Sequence, residues 1–210
     1  KINKAPYQME VYDENGELIT KESDRSGYRS LAFKTNGTDY VNQVEENLFT
    51  SSDESFTGFG MRYDALNQRG KNVDIYAVNW YLEQENKTYL PIPFYFSNQG
   101  YGTYLNSTYY TQYRLATDST DRATIRANAG GTVNQGMDLY FFTGTPKEIS
   151  QQYTDVIEKP ELPPVWAFGP WISANEWNKQ SEVEEQIAKA NQYNIPTTGM
   201  VLEAWADEET

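Results

Sequence analysis

The stretch that decides the fold is Val165-Trp-Ala-Phe-Gly-Pro-Trp-Ile172, a short apolar run bounded by proline and serine. A second apolar run, Gly199-Met-Val-Leu-Glu-Ala-Trp205, lies further along the chain. Short apolar runs between turn residues predict buried strands. Between the two runs, Ser181-Glu-Val-Glu184 matches the capping box that begins a helix. Strand, helix and strand in this order predict a βα unit of a parallel sheet.

This βαβ pattern is too short to be a complete domain. A (β/α)8 barrel needs about 250 residues, and far fewer follow Pro164. A lone βαβ unit would leave strand edges and an apolar face uncovered. We therefore expect residues 165–210 to be the truncated start of a larger domain such as a (β/α)8 barrel, with the missing part in a longer parent chain or in a second chain.

The longer first part of the chain has the pattern of a β-sandwich. Tyr7-Gln-Met-Glu-Val-Tyr12 alternates polar and apolar residues, and Asn15-Gly16 behind it is a strong hairpin signal. Further short strands separated by Gly, Asn, Ser and Asp turns continue to about residue 142. Thr145-Pro-Lys-Glu148 then begins a helix. The predicted fold class is mainly β, with a sandwich over 1–144, a helix and Pro-rich linker over 145–164, and the barrel start after it.

Composition excludes several classes of function. The 210 residues contain 17 Lys and Arg against 30 Asp and Glu, a net charge of −13, which argues against a nucleic-acid partner. Cysteine and histidine are both absent, so the chain holds no thiolate nucleophile, no Cys/His zinc site and no Ser-His-Asp triad. No apolar run is long enough for a membrane span. The 17 tyrosines and the Asn- and Thr-rich surface favour a secreted or cell-surface location over a cytoplasmic one.

The first candidate site lies at the carboxyl ends of the two predicted barrel strands, where active sites of (β/α)8 barrels are found. Glu203 can accept hydrogen bonds from sugar hydroxyls, and Trp205 can stack on the apolar face of a sugar. The loop Ser173-Ala-Asn-Glu-Trp-Asn178 follows the other strand and could supply an aromatic wall and amide donors. The alternatives are a surface carboxylate at a strand end and an ordinary Asn-rich loop.

Two further groups of residues in the sandwich region have a structural and a functional interpretation. The glycine-rich segment Gly58–Gly70 lacks the spacing of a phosphate-binding loop, so a tight turn with Arg62 paired to Asp64 is favoured. A set of tyrosines could form a sugar platform, but such sets are more often one face of a packed sheet. Its members are Tyr101, Tyr104, Tyr109, Tyr110 and Tyr113.

Three motifs together resemble glycoside hydrolase family 31, and the resemblance covers about residues 55–205. The motifs are Gly58-Phe-Gly-Met-Arg-Tyr-Asp-Ala-Leu-Asn-Gln-Arg-Gly70, Tyr89-Leu-Pro-Ile-Pro-Phe-Tyr-Phe-Ser-Asn-Gln-Gly-Tyr-Gly102 and Leu162-Pro-Pro-Val-Trp-Ala-Phe-Gly-Pro-Trp-Ile-Ser173. The resemblance implies an N-terminal β-sandwich followed by a (β/α)8 barrel, so that residues 165–210 would be the start of the barrel and the same parent chain would supply its remainder. It also implies a retaining α-glycosidase, with an Asp nucleophile and an Asp acid/base on later barrel strands and therefore no catalytic residue in this chain.

The resemblance also implies roles for individual residues. Glu203 falls where the family usually has an Asp that contacts distal hydroxyls of the sugar being cleaved, and Trp177 lies where the family often has an aromatic near the sugar. Asn79 lies near the sandwich loop that closes over the pocket, where the family often has Asp. No metal or organic cofactor is implied, and the expected partner is an oligosaccharide or polysaccharide.

Three functions fit the sequence. The first is the N-terminal part of a retaining α-glycosidase acting on α-glucosides or related oligosaccharides. The second is an α-glucosyltransferase of the same family. The third is a carbohydrate-binding β-sandwich module without catalytic activity, for which the βαβ pattern after Pro164 would have no use.

Overall fold

The computed structural model of the chain describes residues 1–23, 30–35, 37, 40–79, 84–129 and 136–203. The chain divides into two compact units, Lys1–Glu158 and Lys159–Thr210. The first unit consists mainly of antiparallel sheets, and the second contains a parallel strand pair with its crossover helix. This is the predicted fold class, a sandwich followed by the start of a barrel. The finer division at residues 144 and 164 stays a prediction.

The first unit begins with a small antiparallel sheet in the order β1-β2-β3. Its strands are β1 (Ile2–Lys4), β2 (Tyr7–Tyr12) and β3 (Leu18–Lys21). The turn between β2 and β3 is the predicted Asn15-Gly16 hairpin, in which Gly16 has a φ of 82°. The carboxylate of Asp13 accepts hydrogen bonds from the backbone N–H groups of Asn15 at 2.9 Å and Glu17 at 2.7 Å, which closes the turn.

Two larger antiparallel sheets form the sandwich. The five-stranded sheet has the order β4-β5-β11-β10-β7 and consists of β4 (Leu31–Thr35), β5 (Val41–Phe49), β7 (Asn72–Ile75), β10 (Thr111–Leu115) and β11 (Arg122–Asn128). The four-stranded sheet has the order β12-β9-β8-β6 and consists of β6 (Phe56–Gly60), β8 (Pro91–Ser97), β9 (Tyr101–Leu105) and β12 (Leu139–Thr143). One continuous core contains residues of both sheets.

Aromatic rings fill the centre of this core. Phe59 stacks on Tyr95 with ring centroids 5.1 Å apart and meets Tyr113 edge-on at 5.0 Å. Tyr95, Tyr101 and Tyr113 are fully buried, and burial raises the pKa of each phenol. Two of the five tyrosines considered as a sugar platform, Tyr101 and Tyr113, therefore belong to the core.

Buried carboxylates join the strands at the edge of the core. Glu54 is buried and accepts hydrogen bonds from the hydroxyls of Ser97 at 2.5 Å and Tyr101 at 2.7 Å. These bonds satisfy the charge that burial would otherwise leave unpaired. The sequence pattern gives no signal for such a group, because a lone glutamate in a loop is normally exposed.

A second acidic group lies where the hairpin β2–β3 meets β5. Glu22 and Glu46 are both buried, and Glu22 accepts a hydrogen bond from the backbone N–H of Met9 at 2.7 Å. Burial together with the negative charge of Glu22 raises the pKa of Glu46 to about 9. Burial also raises the pKa of Glu22. The pair therefore holds a proton at neutral pH, which removes the repulsion between two close carboxylates.

The glycine-rich segment after β6 is a structural element rather than a ligand loop. The guanidinium of Arg62 donates to the carbonyl oxygens of Phe59 at 3.1 Å, Asn86 at 2.7 Å and Asp74 at 2.9 Å. Asp64 instead forms an ion pair with Lys71 at 2.7 Å, so the expected Arg62–Asp64 pair is wrong. Arg62 thereby ties the end of β6 to β7 and to the segment before β8.

Helix α1 (Pro146–Ile157) completes the first unit and begins as predicted. Thr145 is the N-cap, and its side chain and that of Glu148 form a reciprocal capping box. Tyr153 of the helix stacks on Phe94 with ring centroids 4.0 Å apart. Ile149 is buried against Gly102 of β9, where a Cβ would lie 2.7 Å from the Ile149 Cγ2 atom. The helix therefore fits against the four-stranded sheet only because residue 102 is glycine.

The second unit contains the predicted strand, helix and strand with shifted bounds. Residues Val165–Phe168 form a short 3-10 helix, and β13 follows as Trp171–Ala174. The prediction of one strand from Val165 to Ile172 is therefore wrong, because Gly169-Pro170 separates the two elements. Helix α2 spans Gln180–Gln192 with Lys179 at the N-cap and no side-chain cap. The expected capping box at Ser181 is therefore also wrong.

The second strand of this unit is β14 (Gly199–Leu202), which pairs with β13 in parallel. Neither α1 nor α2, the longer helices of the described residues, has the length and apolar character needed to cross a membrane.

We predict that Gly60→Ala strongly destabilises the sandwich. Gly60 has a φ of 85°, and a Cβ there would overlap the carbonyl oxygen of Leu90 and lie 2.8 Å from the Ile92 nitrogen. Gly70 has a φ of 80° with open space around it and is the matched control. We expect a loss of more than about 3 kcal/mol for Gly60→Ala and about 1–2 kcal/mol for Gly70→Ala, measured by urea unfolding. Equal losses of unfolding free energy for the two variants would contradict the close contact of residue 60 with Leu90 and Ile92.

We also predict that Glu46→Gln changes how stability depends on pH. The pKa of Glu46 is raised from about 4.5 to about 9, so its ionisation favours the unfolded chain over that range. The free energy of unfolding of the unchanged protein should therefore fall between pH 4.5 and pH 9. The free energy of unfolding of the variant should fall less over the same range. Thermal unfolding midpoints across this range measure the difference. Parallel curves for the two proteins would show that Glu46 is already ionised.

Candidate functional site

The candidate site is the edge of the second unit at which β13 and β14 both end. The parallel register pairs Trp171 with Gly199 and Ala174 with Leu202. Because the strands run in the same direction with matched ends, the residues that follow them leave the sheet at the same edge. Asn175 follows β13 there, and Glu203 follows β14. The sequence predicted this convergence, and the register produces it.

Ser173 connects the two strand ends. Its hydroxyl lies 3.1 Å from the Oε1 atom of Glu203 and also contacts the side-chain amide of Asn175. A serine hydroxyl has one proton to donate and can accept at its oxygen. When it donates to Glu203, an Asn175 amide oriented with its NH2 group toward Ser173 completes the network. Glu203 is half-buried, so one carboxylate oxygen is held while the other can bind a ligand hydroxyl.

The loop after β13 carries Trp177 next to this group. Ala174 is fully buried, and its carbonyl accepts a hydrogen bond from the Trp177 N–H at 3.3 Å, which turns the chain. The Trp177 side chain is half-buried, whereas its neighbours Asn175 and Glu176 are exposed. A half-buried indole in a fixed turn can offer a ring face to a sugar.

At the opposite end of the strands, two tryptophan rings lie beside each other. Trp166 and Trp171 lie with ring centroids 5.6 Å apart, and the Trp171 indole N–H donates to the Ala167 carbonyl at 3.3 Å. Gly199 lies directly against the Trp171 ring, where a Cβ would be 2.8 Å from Cδ2. A cleft of about 210 Å³ between α2 and the strands is also at this end, lined by Ile172, Ile187, Ala190 and Met200 among others.

Of the other two predicted site residues, the structure describes only one. Trp205 lies outside the described residues. Asn79 belongs to the first unit and is exposed. The backbone before Asn79 is fixed by the Val78 N–H, which donates to the Thr88 carbonyl at 2.9 Å. The structure thus places Glu203 and Trp177 in one unit and Asn79 in the other, and their roles in binding stay predictions.

The sequence pattern places Ser173 in the loop after the first strand and indicates no separate role for it. The structure places it within β13, where its side chain reaches Glu203 across the strand pair. A polar residue near the end of an otherwise apolar strand, with an acidic residue directly after the partner strand, is the signal that could have identified it. Within the described parts of the chain, no group of three acidic side chains is suited to hold a metal ion.

Two family models match the chain. The model of the "Glycosyl hydrolase 31 N-terminal galactose mutarotase-like domain" matches residues 1–113, and that of the "Glycosyl hydrolases family 31 TIM-barrel domain" matches residues 160–210. The chain belongs to glycoside hydrolase family 31. The family resemblance of the three motifs is therefore confirmed, as are the sandwich and the beginning of the barrel.

Several family 31 enzymes are similar to the chain over its whole length. An isomaltosyltransferase of Sporosarcina globispora is 41% identical over 212 residues, which is 100% of this chain and 19% of that protein. The cycloalternan-forming enzyme of Listeria monocytogenes, solved with a pentasaccharide substrate, is 41% identical with a TM-score of 0.90 over 100% of this chain and 20% of that one.

A more distant relative acts in the opposite direction. The cycloalternan-degrading enzyme of Trueperella pyogenes, solved in complex with isomaltose, is 30% identical with a TM-score of 0.79 over 97% of this chain and 33% of that one. The chain therefore spans about a fifth of the two relatives that are 41% identical to it. Both transfer and degradation occur among these family 31 relatives.

Proposed function

We propose that this chain is the N-terminal part of a retaining family 31 enzyme that acts on α-glucan oligosaccharides, with the catalytic Asp pair outside the chain. The observation that carries this proposal is the Ser173–Glu203 contact at the shared carboxyl edge of β13 and β14. In this position a carboxylate can bind the sugar whose glycosidic bond is cleaved. The rest of the barrel would come from the same parent chain.

Transfer of an isomaltosyl unit is the activity we favour over simple hydrolysis. The two relatives with 41% identity are an isomaltosyltransferase and a cycloalternan-forming enzyme, and both align over the whole chain. Glu203 also departs from the Asp that the family usually has at this point. Glutamate is one methylene longer than aspartate, so it places the carboxylate further from the strand and requires a differently shaped subsite.

Each residue of the site has a defined contribution in this proposal. Glu203 accepts hydrogen bonds from hydroxyls of the bound sugar, while Ser173 holds one carboxylate oxygen in place. Trp177, and Trp205 beyond the described residues, stack on the sugar faces, and Asn79 donates an amide from the sandwich loop. The nucleophile then attacks the anomeric carbon with formation of a glycosyl-enzyme intermediate, and the acid protonates the leaving oxygen. Water or an acceptor sugar completes the reaction.

The alternative of a carbohydrate-binding module without catalytic activity explains less of the structure. Such a module needs only the sandwich. It would have no use for a parallel strand pair with exposed apolar residues such as Val201 and Leu202, which a larger sheet would cover.

We predict that Glu203→Gln in the complete parent enzyme lowers kcat/KM for an α-glucan oligosaccharide by about 100-fold or more, because a charged hydrogen-bond acceptor is lost. Ser173→Ala should cause a smaller loss, about 5- to 10-fold, because it removes only the support of Glu203. Initial rates, with the products of hydrolysis and of transfer quantified separately, measure kcat/KM for both variants.

Glu176→Gln is the matched control, because Glu176 is an exposed acidic residue in the same loop. It should leave kcat/KM unchanged. If Glu203→Gln keeps the kinetic constants of the unchanged enzyme, Glu203 does not bind the substrate. Turnover of an aryl α-glucoside by residues 1–210 alone would contradict the placement of the catalytic pair outside this chain.

A further inference from the structure

The outer face of the five-stranded sheet carries a continuous row of polar side chains that the proposed function does not use. In the strand register, Gln112 of β10 lies between Asp74 of β7 and Arg126 of β11, and Arg126 lies opposite Glu45 of β5. All four side chains are half-buried, in contrast to the fully buried residues of the inner face such as Tyr113. The row therefore crosses four neighbouring strands on one face.

Two exposed tyrosines stand at the end of this row. Tyr76 directly follows β7 and is 61% exposed, and Tyr110 directly precedes β10 and is 38% exposed. Their ring centroids are 6.2 Å apart with an angle of 69° between the ring planes. The two rings thus form an angled pair of apolar surfaces beside polar groups. We call Tyr76, Tyr110, Asp74 and Gln112 the tyrosine platform.

Hydrogen bonds hold the platform in one arrangement. The Oδ1 atom of Asp74 accepts from the Tyr110 hydroxyl at 2.8 Å and from the Gln112 Nε2 atom at 3.0 Å. The Gln112 Oε1 atom in turn accepts from Arg114 Nε at 2.8 Å. Side chains fixed before binding lose less conformational entropy when a ligand arrives. The network therefore supports binding as well as the sheet.

The charges of this face point to a neutral ligand. Arg114 is paired with Asp118 at 2.9 Å, and Arg126 is paired with Glu45 at 2.6 Å. Both guanidinium groups are therefore already neutralised, and the carboxylate of Asp74 adds a negative charge. A phosphate or an acidic polymer would be repelled here. Hydroxyl groups, by contrast, can donate to the Asp74 carboxylate, while Gln112 holds the platform through its Nε2 bonds to Asp74 Oδ1 at 3.0 Å and the Tyr110 hydroxyl at 3.4 Å.

We propose that the tyrosine platform is a second binding site, outside the candidate site at Glu203, for a neutral oligosaccharide of glucose units. Aromatic rings cover the C–H faces of the sugar, and the Asp74 carboxylate accepts hydrogen bonds from its hydroxyls. The choice of glucose units rests on the proposed function of the chain. The site would hold one part of a long substrate while another part reacts.

Hydroxyl-radical footprinting of the complete parent protein, read by mass spectrometry, tests the proposal. The probe is isomaltopentaose, with sorbitol at the same hydroxyl concentration as the control ligand. We expect oxidation of Tyr76 and Tyr110 to fall at least threefold with the pentasaccharide and to stay constant with sorbitol. Tyr12 is the matched internal control, because it is an exposed tyrosine whose hydroxyl also contacts a carboxylate, that of Glu10, at 3.0 Å.

A double variant, Tyr76→Ala with Tyr110→Ala, provides a second measurement. It should raise KM for isomaltopentaose by about tenfold, as expected for the loss of aromatic contacts, and leave kcat unchanged. The constants for a small aryl α-glucoside should not change, because its single glucose unit binds at the candidate site and no further unit is left for the platform. Tyr12→Ala should leave all of these values unaltered.

The outcomes separate this proposal from the proposed function. Protection of both tyrosines with the KM effect supports the platform. Unprotected tyrosines in an enzyme that still turns over the pentasaccharide would overturn the platform and leave the proposed function intact. Tyrosines that resist oxidation without any ligand would show that another part of the protein covers this face, which also overturns it. Protection without turnover would support the platform and contradict the proposed function.

Discussion

The parallel pairing of β13 with β14 is the constraint on which the functional interpretation depends. A matched parallel register brings the carboxyl ends of both strands to one edge, so Ser173 can reach Glu203 although the two residues are far apart in sequence. The same register places Trp171 against Gly199 at the other end, where a side chain on residue 199 would overlap the indole ring. An antiparallel arrangement of the same two strands would separate Ser173 from Glu203.

The sandwich is stabilised in a way that suits a polar, tyrosine-rich chain. Large rings fill its centre, and two of their hydroxyls donate to polar groups there, that of Tyr101 to Glu54 at 2.7 Å and that of Tyr113 to the Pro93 carbonyl at 3.4 Å. At these two positions tyrosine contributes apolar area without leaving its hydroxyl unpaired in the core. At the surface, the same residue type stands beside polar side chains on the outer face of the five-stranded sheet. One residue type thus serves the core and a candidate binding surface, and burial separates the two uses.

The elements with strong local signals could be predicted from the sequence. The Asn15-Gly16 hairpin and the capping box at Thr145 depend on short-range hydrogen bonds, and both form as expected. The 3-10 helix at Val165–Phe168 was mispredicted as part of a strand, because apolar runs do not distinguish a strand from a short helix. The capping box expected at Ser181 does not form, because α2 already begins at Gln180 and Ser181 lies inside the helix. The long strand β5 had no clear signal, since its buried Glu46 and Asn47 interrupt the apolar pattern.

The candidate site was predictable in outline only. Matching the motifs to the family located Glu203 and Trp177, whereas the role of Ser173 required the strand register. The tyrosine platform was even less accessible, because Tyr76, Asp74 and Gln112 come from two strands that are distant in sequence. The five clustered tyrosines considered at first were divided by the fold, with Tyr110 at the surface and Tyr113 in the core.

The buried pair of Glu22 and Glu46 has a consequence for the order in which the sandwich comes apart. The hairpin β2–β3 is attached to β5 at this point, where the Ser23 N–H donates to the Asn47 carbonyl at 2.8 Å and Glu22 bridges to Leu48. The attachment of the hairpin therefore depends on the proton held by Glu22 and Glu46 as well as on backbone hydrogen bonds. Loss of that proton above about pH 9 would leave two close negative charges beneath the hairpin, so we expect alkaline solution to weaken this attachment before it affects the aromatic centre.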